Sequence, residues 1–232
     1  MNTKSEAGVT IDAGLRSYMQ KVYNVMTMGL VVTGALAFLV ASTPALTSLF
    51  LANKIVFWIV ALSPLGIIFF GLTPSKVQRM NGSTVTGLFF LMTALIGISM
   101  ASIFFVYSGA SIARVFFITS GTFAATSIYG YTTKRDLAGM GSFMFMGLIG
   151  IIIASIVNIF LKSSGLHFAI SILGVLIFTG LTAWDTQRIK ETYSAAYDRS
   201  NLNKLAVMGA LRLYLDFINM FQFLLSLLGN RN

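Results

Sequence analysis

Seven apolar stretches run through this chain, and each is long enough to cross a bilayer core, which takes about 20 helical residues. They cover Val22–Ala41, Ile55–Leu72, Val85–Tyr107, Ile112–Tyr131, Met140–Leu161, His167–Asp185 and Leu205–Gly229. The composition agrees, because 56% of the residues are hydrophobic and only 10% are charged, which leaves too little polar surface to cover a soluble globule. The sequence therefore predicts an all-α membrane protein, built as a bundle of seven transmembrane helices.

The segments outside these stretches predict the domain organisation. Residues 1–21 form a cytoplasmic N-terminal tail, residues 22–229 the seven-helix transmembrane domain, and residues 230–232 a C-terminal tail. The longest connection, Thr186–Lys204, is expected to extend its flanking helices into the cytoplasm. Pro64 is the only proline within a span, where it is expected to kink the second helix.

The basic residues are distributed unevenly between the two sides of the predicted bundle. One side carries 11 of them: Lys4, Arg16, Lys21, Lys76, Arg79, Lys134, Arg135, Arg188, Lys190, Arg199 and Lys204. The other side carries only Lys54, Lys162 and Arg231. This bias predicts a cytoplasmic N-terminus and, after seven crossings, an external C-terminus. The topology thus accounts for the net charge of +9, and no nucleic-acid partner is expected.

Small residues recur four positions apart in the third to fifth spans. Such pairs let helices approach closely, so a compact bundle is expected. The pairs are Gly97 and Ala101, Gly121 and Ala125, and Gly150 and Ala154. The chain has no cysteine and a single histidine, His167, which is expected to be an ordinary residue of the outer surface. Disulfides, thiolate-bound metals and histidine metal clusters are thereby excluded, and no cofactor is expected.

Two aspartates, Asp185 and Asp216, lie within predicted spans, whereas the other acidic residues lie in tails or connections. A carboxylate in hydrocarbon costs several kcal/mol unless it is paired, neutralised or hydrated. The pair therefore predicts a proton-linked or cation-linked site.

The helical phase of the last two spans places polar residues on particular faces. Four residues of the seventh helix fall within an arc of roughly 80°: Arg212, Asp216, Asn219 and Ser226. Four residues of the sixth helix also share a face, which is expected to meet the seventh helix: Ser171, Gly174, Phe178 and Asp185. Because polar groups avoid lipid, both faces should point into the bundle, and the seventh helix should be central. The aspartates can meet if the seventh helix begins below the bilayer surface, in the cytoplasm.

Three segments together resemble the transmembrane Bax-inhibitor-motif family, in its bacterial branch: Tyr129–Leu137, Ile177–Ile189 and Leu213–Phe221. The most specific parts are Asp-Thr-Gln, beginning at Asp185, and Leu-Tyr-Leu-Asp, ending at Asp216. The resemblance implies a seven-helix fold with a central last helix in the bacterial inner membrane. It also implies a pH-sensitive calcium leak in which two aspartates, here Asp185 and Asp216, act as the sensor.

The chain departs from that family pattern at two places. In relatives a basic residue of the second helix latches the aspartates, but Ile55–Leu72 contains no lysine or arginine. Lys76 and Arg79, just beyond it, are the candidate latches by this resemblance. Trp184 stands where many relatives have tyrosine, so a role for that hydroxyl does not carry over.

The chemistry of the pair can also be derived from the residue types. Two carboxylates close together in a low-dielectric site should share a proton and titrate as a coupled pair. If Arg79 or Arg212 binds the ionised form, protonation weakens that tie and frees the helices to separate. Calcium prefers oxygen ligands, and two carboxylates alone would bind it weakly.

There are three alternatives to the leak. The aspartates could form a structural hydrogen-bonded pair that holds the sixth helix to the seventh. An intramembrane aspartyl protease is disfavoured, because Leu213–Asp216 replaces its Gly-x-Gly-Asp motif and no Pro-Ala-Leu follows; no enzymatic activity is expected. A non-conducting regulator that binds and modulates a membrane protease stays open.

Overall fold

A computed structural model describes residues 3–194 and 196–231, with side chains described from residue 13 onward. The described chain is helical and forms no β-strand. Its seven long helices are α1 (Thr3–Ser42), α2 (Lys54–Gly66), α3 (Gly82–Met100), α4 (Gly109–Thr132), α5 (Ala138–Leu161), α6 (Ser164–Thr192) and α7 (Arg199–Leu228). Shorter elements join them: helices Pro44–Thr47, Pro74–Arg79 and Ile103–Val106, and π-helical turns Ser48–Ala52 and Ile67–Gly71.

Seven helical segments of the described chain are long and apolar enough to cross a membrane. They are Ala13–Ser42, Lys54–Gly71, Gly82–Val106, Gly109–Thr132, Ala138–Leu161, Ser164–Thr192 and Arg199–Leu228. The prediction of an all-α membrane protein with seven spans is confirmed. The seventh segment is also the most buried, with 56% of its most apolar window inside the protein, against 6% for the fifth. That ranking agrees with a central last helix.

Several helices continue well past their apolar residues, as expected for the Thr186–Lys204 connection. Helix α6 ends at Thr192 and α7 begins at Arg199, so only a short connection separates them. The carboxylate of Asp198 accepts a hydrogen bond from the Asn201 N–H at 2.9 Å and so caps α7. Helix α1 begins at Thr3, which makes the described part of the N-terminal tail helical.

Pro64 changes the hydrogen bonding of α2 rather than ending it. Proline has no N–H to donate to the carbonyl four residues earlier, which belongs to Val60. The hydroxyl of Ser63 donates to that carbonyl instead, at 2.8 Å. Directly after Gly66 the chain continues as the π-helical turn Ile67–Gly71. The kink expected at Pro64 stays a prediction.

The chain packs as two compact units. The first comprises Met1–Val106 and Thr192–Tyr214, and the second comprises Tyr107–Glu191 and Leu215–Asn232. Helices α1 to α3 and the first half of α7 belong to the first unit. Helices α4 to α6 and the second half of α7 belong to the second. Both aspartates, Asp185 and Asp216, lie in the second unit.

The core of the first unit is fixed by a buried chain of hydroxyl groups. The side chain of Tyr214 is fully buried, and its hydroxyl lies 2.6 Å from that of Thr33. Thr33 donates its only hydroxyl hydrogen to the Thr93 carbonyl at 2.8 Å, so Tyr214 is the donor to Thr33. These two hydrogen bonds connect α7 with α1 and α3.

The small-residue pairs predicted close helix contacts in three spans, and the structure shows such a contact at Gly97 but not at Gly121 or Gly150. A Cβ atom on Gly97 would lie 2.6 Å from the Thr33 carbonyl oxygen, so this glycine permits the close crossing of α1 and α3. Gly121 and Gly150, in contrast, have no heavy atom within 4 Å of a Cβ position. Both are exposed, because they lie on helix faces that point away from the protein.

Candidate functional site

Helices α6 and α7 pack against each other in antiparallel directions along the predicted face of α6. The Ser171 and Ser226 hydroxyls lie 3.1 Å apart, and the Phe178 ring stacks on the Phe223 ring at 5.9 Å between centroids. A Cβ atom on Gly174 would lie 2.5 Å from the Phe223 ring, so a side chain there would force the ring to move. The predicted contact between this face and α7 is confirmed.

The register of these contacts determines how the two aspartates are offset. Gly174 lies opposite Phe223. Seven residues further along α6, and seven residues back along α7, the same register brings Leu181 opposite Asp216. Asp185 is one turn beyond Leu181, which is about 6 Å along the helix axis. The two carboxylates therefore belong to neighbouring turns of facing helices.

One turn of α4 contacts the residues that directly follow both aspartates. Phe123 packs edge-on against Phe217 with 5.5 Å between ring centroids, and the Ser127 hydroxyl lies 2.9 Å from that of Thr186. The Thr186 hydroxyl also donates to the Thr182 carbonyl at 2.7 Å. Helix α4 thus supports both aspartate-bearing turns.

The two aspartates differ in burial. Asp216 is only 4% exposed, and its Oδ2 atom is buried, whereas Asp185 is half-buried. Each takes part in polar or electrostatic interactions with other groups. Because a buried carboxylate is costly when charged, Asp216 in particular is a group whose charge depends on its surroundings.

The C-terminal end of α6 is held by a side-chain clamp that sequence reasoning missed. Gln187 is buried; its Nε2 donates to the Arg135 carbonyl and its Oε1 accepts from the Leu137 N–H, both at 2.8 Å. Lys190 donates to the Tyr131 carbonyl at 2.8 Å. The only sign of this clamp in the sequence was the glutamine of the Asp-Thr-Gln motif, a polar residue next to a predicted span. These bonds fix the end of α6 two residues after Asp185.

Trp184 fills space beside Asp185. A Cβ atom on Gly141 would lie 2.1 Å from the Trp184 ring, so α5 meets the indole through a glycine. The Arg188 guanidinium lies over the same ring, 5.3 Å from its centroid, which is a favourable cation–π geometry. The indole ring of Trp184 therefore contacts both Gly141 and Arg188.

The candidate latch residues occupy different environments. Lys76 is exposed, and its Nζ donates to the Phe70 carbonyl at 2.7 Å, near the end of the π-helical turn after α2. Arg79 is exposed at the end of a short helix. Arg212 is half-buried on α7, four residues before Asp216. The assignment of the latch stays a prediction.

His167, expected to be an ordinary surface residue, is exposed but belongs to a ring of hydrogen bonds at the other end of α6. Its Nε2 lies 2.8 Å from the Ser226 hydroxyl, which lies 3.1 Å from that of Ser171. Ser171 donates to the His167 carbonyl at 2.9 Å. Each hydroxyl has one hydrogen, and Ser171 uses its own on that carbonyl, so Ser226 is the donor to Ser171. The hydrogen between Ser226 and His167 must then come from Nε2.

No group of three or more histidine, cysteine, aspartate or glutamate side chains that could hold a metal ion occurs in the part of the chain that the structure describes. The aspartate pair alone therefore offers fewer ligands than calcium takes in a protein binding site, which is 6–8 oxygens.

Comparison with known proteins gives consistent matches over nearly the whole chain. The family model described as "Inhibitor of apoptosis-promoting Bax1" matches residues 15–232. The inner membrane protein YbhL of Escherichia coli is 44% identical over 230 residues, covering 98% of this chain and 97% of YbhL. An uncharacterised protein of Rickettsia prowazekii is 47% identical over 229 residues, covering 99% and 96% of the two chains. A Caulobacter vibrioides protein is 45% identical over 232 residues, covering 96% and 92%.

Proposed function

Because the chain belongs to the Bax inhibitor family of membrane proteins, we propose that it is a pH-sensitive calcium leak channel gated by Asp185 and Asp216. The proposal includes a location in the bacterial inner membrane, which the name of its Escherichia coli relative supports. It also includes a cytoplasmic N-terminus, which the distribution of basic residues supports.

The observation that supports the proposal is the register of the α6–α7 contacts, from which the two aspartates are inferred to lie on neighbouring turns of facing helices. Their following residues, Thr186 and Phe217, both contact one turn of α4. Two acidic groups in such a position would repel each other when both are ionised, and protonation of one relieves that repulsion. The charge of the pair is thus linked to the packing of α6 against α7.

The proposed gate uses this linkage. At high pH the ionised pair is held by a basic residue, with Arg79, Lys76 and Arg212 as the candidates, and the path is closed. Mild acidification adds a proton to the pair, weakens the tie and lets the helices separate. Full protonation then removes the negative charge that attracts the cation. Calcium flux should therefore rise and then fall as the pH decreases.

The residues favour passage of calcium over chemical catalysis. The seventh span has Leu213–Asp216 in place of the Gly-x-Gly-Asp motif of an intramembrane aspartyl protease, and no Pro-Ala-Leu follows it, which supports a non-enzymatic role. Calcium is a hard cation that binds oxygen ligands, and a site with two carboxylates attracts it without holding it strongly. Weak binding suits a leak, because the ion must leave as readily as it enters.

The test is calcium flux into dye-loaded proteoliposomes that contain the purified chain, measured from alkaline to acid pH. The wild-type flux should exceed that of empty vesicles and pass through a maximum. Asp185→Asn and Asp216→Asn should each flatten the pH response. Glu191→Gln is the matched control, because Glu191 is an exposed carboxylate on the same helix as Asp185, and it should behave like the wild type.

Calcium entry equal to that of empty vesicles at every pH would reject the leak. The regulator of a membrane protease would then be the better proposal, and it predicts stable co-purification with such a partner. A pH response that Glu191→Gln alters as strongly as Asp216→Asn would reject the aspartate pair as the sensor.

A further inference from the structure

A cavity of about 310 Å³ opens in the first unit, beside the first turns of α7. Helix α1 lines it with Gly14, Ser17 and Lys21, which are spaced by three and four residues and so share one face. Helix α7 lines it with Arg199 and Asn203, which are four residues apart and so also share one face. Two helix faces thus converge on one space.

The lining is basic and rich in hydrogen-bond donors. Lys21 and Arg199 supply two positive charges, and Ser17 and Tyr193 supply hydroxyl groups. No carboxylate belongs to the described lining of this cavity. The nearest in sequence, Asp198, accepts the Asn201 N–H. The cavity is therefore complementary to an anion with several acceptor oxygens.

The walls of the cavity are fixed by contacts that do not need a ligand. The rings of Tyr18 and Tyr193 pack with 5.5 Å between centroids, and Tyr18 is buried. A Cβ atom on Gly14 would lie 2.1 Å from the Tyr193 hydroxyl oxygen, so only glycine admits the tyrosine in this position. Lys21 donates to the Asn203 Oδ1, which leaves the Asn203 amide hydrogens available as further donors.

The cavity lies where the apolar parts of both helices begin. On α1 the residue after Lys21 is Val22, which is fully buried and opens the first apolar stretch. On α7 the apolar stretch starts at Leu205, two residues after Asn203. A cavity at this level is at the height of the lipid headgroups, on the side that the charge distribution predicts to be cytoplasmic. Basic pockets between helices at that level suit headgroup phosphates.

We propose that this cavity is a binding site for a phosphate group, carried either by an anionic lipid headgroup or by a soluble phosphate. The Arg199 guanidinium can bind two of its oxygens as a planar fork, and Lys21 supplies a point charge to a third. The hydroxyls of Ser17 and Tyr193 complete the set of donors. This site is independent of the calcium leak, because none of its residues belongs to the aspartate pair or its candidate latches.

Two measurements on the purified full chain test the site and distinguish the two sources of phosphate. The first is the shift in unfolding temperature in detergent on adding inorganic phosphate, compared with chloride at equal ionic strength. The second is the retention of phosphatidylglycerol over phosphatidylcholine, by native mass spectrometry after exposure to mixed micelles of the two. If the ligand is a soluble phosphate, inorganic phosphate should raise the unfolding temperature. If it is a lipid headgroup, the protein should retain phosphatidylglycerol in preference to phosphatidylcholine. Either response supports the site.

The pocket variant is Lys21→Gln combined with Arg199→Gln, and it should weaken the observed binding at least about tenfold, because it removes two charge-assisted contacts. The matched control is Lys134→Gln combined with Arg135→Gln, which removes the same charge from exposed positions outside the cavity. The control should bind like the wild type. Tyr193→Phe keeps the aromatic ring, removes one donor and should weaken binding about fivefold, which tests the site should the double variant be unstable.

The proposal is overturned if the wild type shows neither a phosphate-specific shift nor a preference for phosphatidylglycerol. Equal losses in the pocket and control variants would also overturn it, because they would indicate a response to overall charge rather than to this cavity.

Discussion

Gly130 offers a direct test of how closely α4 and α6 must pack beside Asp185. A Cβ atom at this position would lie 2.1 Å from the Ala183 carbonyl oxygen and 2.8 Å from its carbonyl carbon. Those atoms belong to the backbone, so no side-chain rotation can relieve the clash. The helices would have to separate by roughly 1 Å before the oxygen contact reached 3.0 Å. Such a separation would also stretch the 2.9 Å hydrogen bond between Ser127 and Thr186.

The magnitude of the effect of Gly130→Ala follows from two opposing contributions. Overpacking costs about 1–3 kcal/mol, whereas alanine in place of glycine stabilises a helix interior by about 0.5–1 kcal/mol. The net expectation is a loss of about 0–2.5 kcal/mol in the free energy of unfolding relative to the wild type. Gly121→Ala is the matched control on the same helix, since its Cβ meets nothing within 4 Å, and it should be as stable as the wild type or more stable.

The assay is the unfolding of the detergent-purified variants by denaturant, with calcium flux against pH measured on the same preparations. Gly130→Ala should be less stable than Gly121→Ala, and its pH response should shift because the turn that bears Asp185 has moved. Equal stability of the two variants would refute the tight crossing of α4 and α6 at Gly130.

Three further predictions concern topology, coupling and the clamp on α6. Single cysteines at Ser5 and Asn230, probed in intact cells with an impermeant thiol reagent, should label only at Asn230; labelling of both or of Ser5 alone contradicts the seven-span orientation. Asp185→Asn and Asp216→Asn should be non-additive in their effects on the pH response, with a coupling of about 0.5–3 kcal/mol, and strict additivity would mean that they are separate groups. Gln187→Leu should lower the free energy of unfolding by about 1–3 kcal/mol, because the Leu137 N–H loses its partner; an unchanged denaturation midpoint would contradict that role.

The seven spans could be predicted because the length and hydropathy of each segment alone determine whether it can cross a bilayer. The ends of the helices were harder to predict, since a helix satisfies its own backbone in water as well as in lipid. Helix α1 accordingly begins at Thr3, far outside the predicted span Val22–Ala41. Within the described tail, Tyr18 and Met19 are buried, which the polar composition of residues 1–21 did not indicate.

Helical phase predicted which residues of the candidate site share a face of one helix, but it predicted no contacts beyond those of α6 with α7. Phase identified the face of α6 that contains Ser171 and Gly174, and the structure confirms its contacts with α7. Phase gives no information about a third helix, so the support from Ser127 on α4 was not predicted. The clamp by Gln187 was missed for the same reason, because its partners belong to a connection fifty residues away.

The glycine pattern shows why spacing alone is a weak signal in a membrane helix. A small residue every fourth position can face another helix or the lipid, and both are apolar. Gly97 faces a neighbouring helix, whereas Gly121 and Gly150 do not. The glycines that do permit contact in the second unit, such as Gly130 and Gly174, meet a backbone or an aromatic ring, which no pattern within a single helix specifies.

The offset of the two aspartates bears on the proposed leak, because it argues against tight calcium storage. Asp185 and Asp216 lie on neighbouring turns, about 6 Å apart along the axis, and no group of three or more potential metal ligands occurs within the described residues. A calcium ion held by the two carboxylates alone would have to keep much of its water shell, because they supply fewer oxygens than the 6–8 that the ion takes. An ion that remains hydrated is bound weakly and exchanges rapidly. The same geometry makes the attraction sensitive to protonation, since a single proton removes half of the negative charge that the pair presents to the ion.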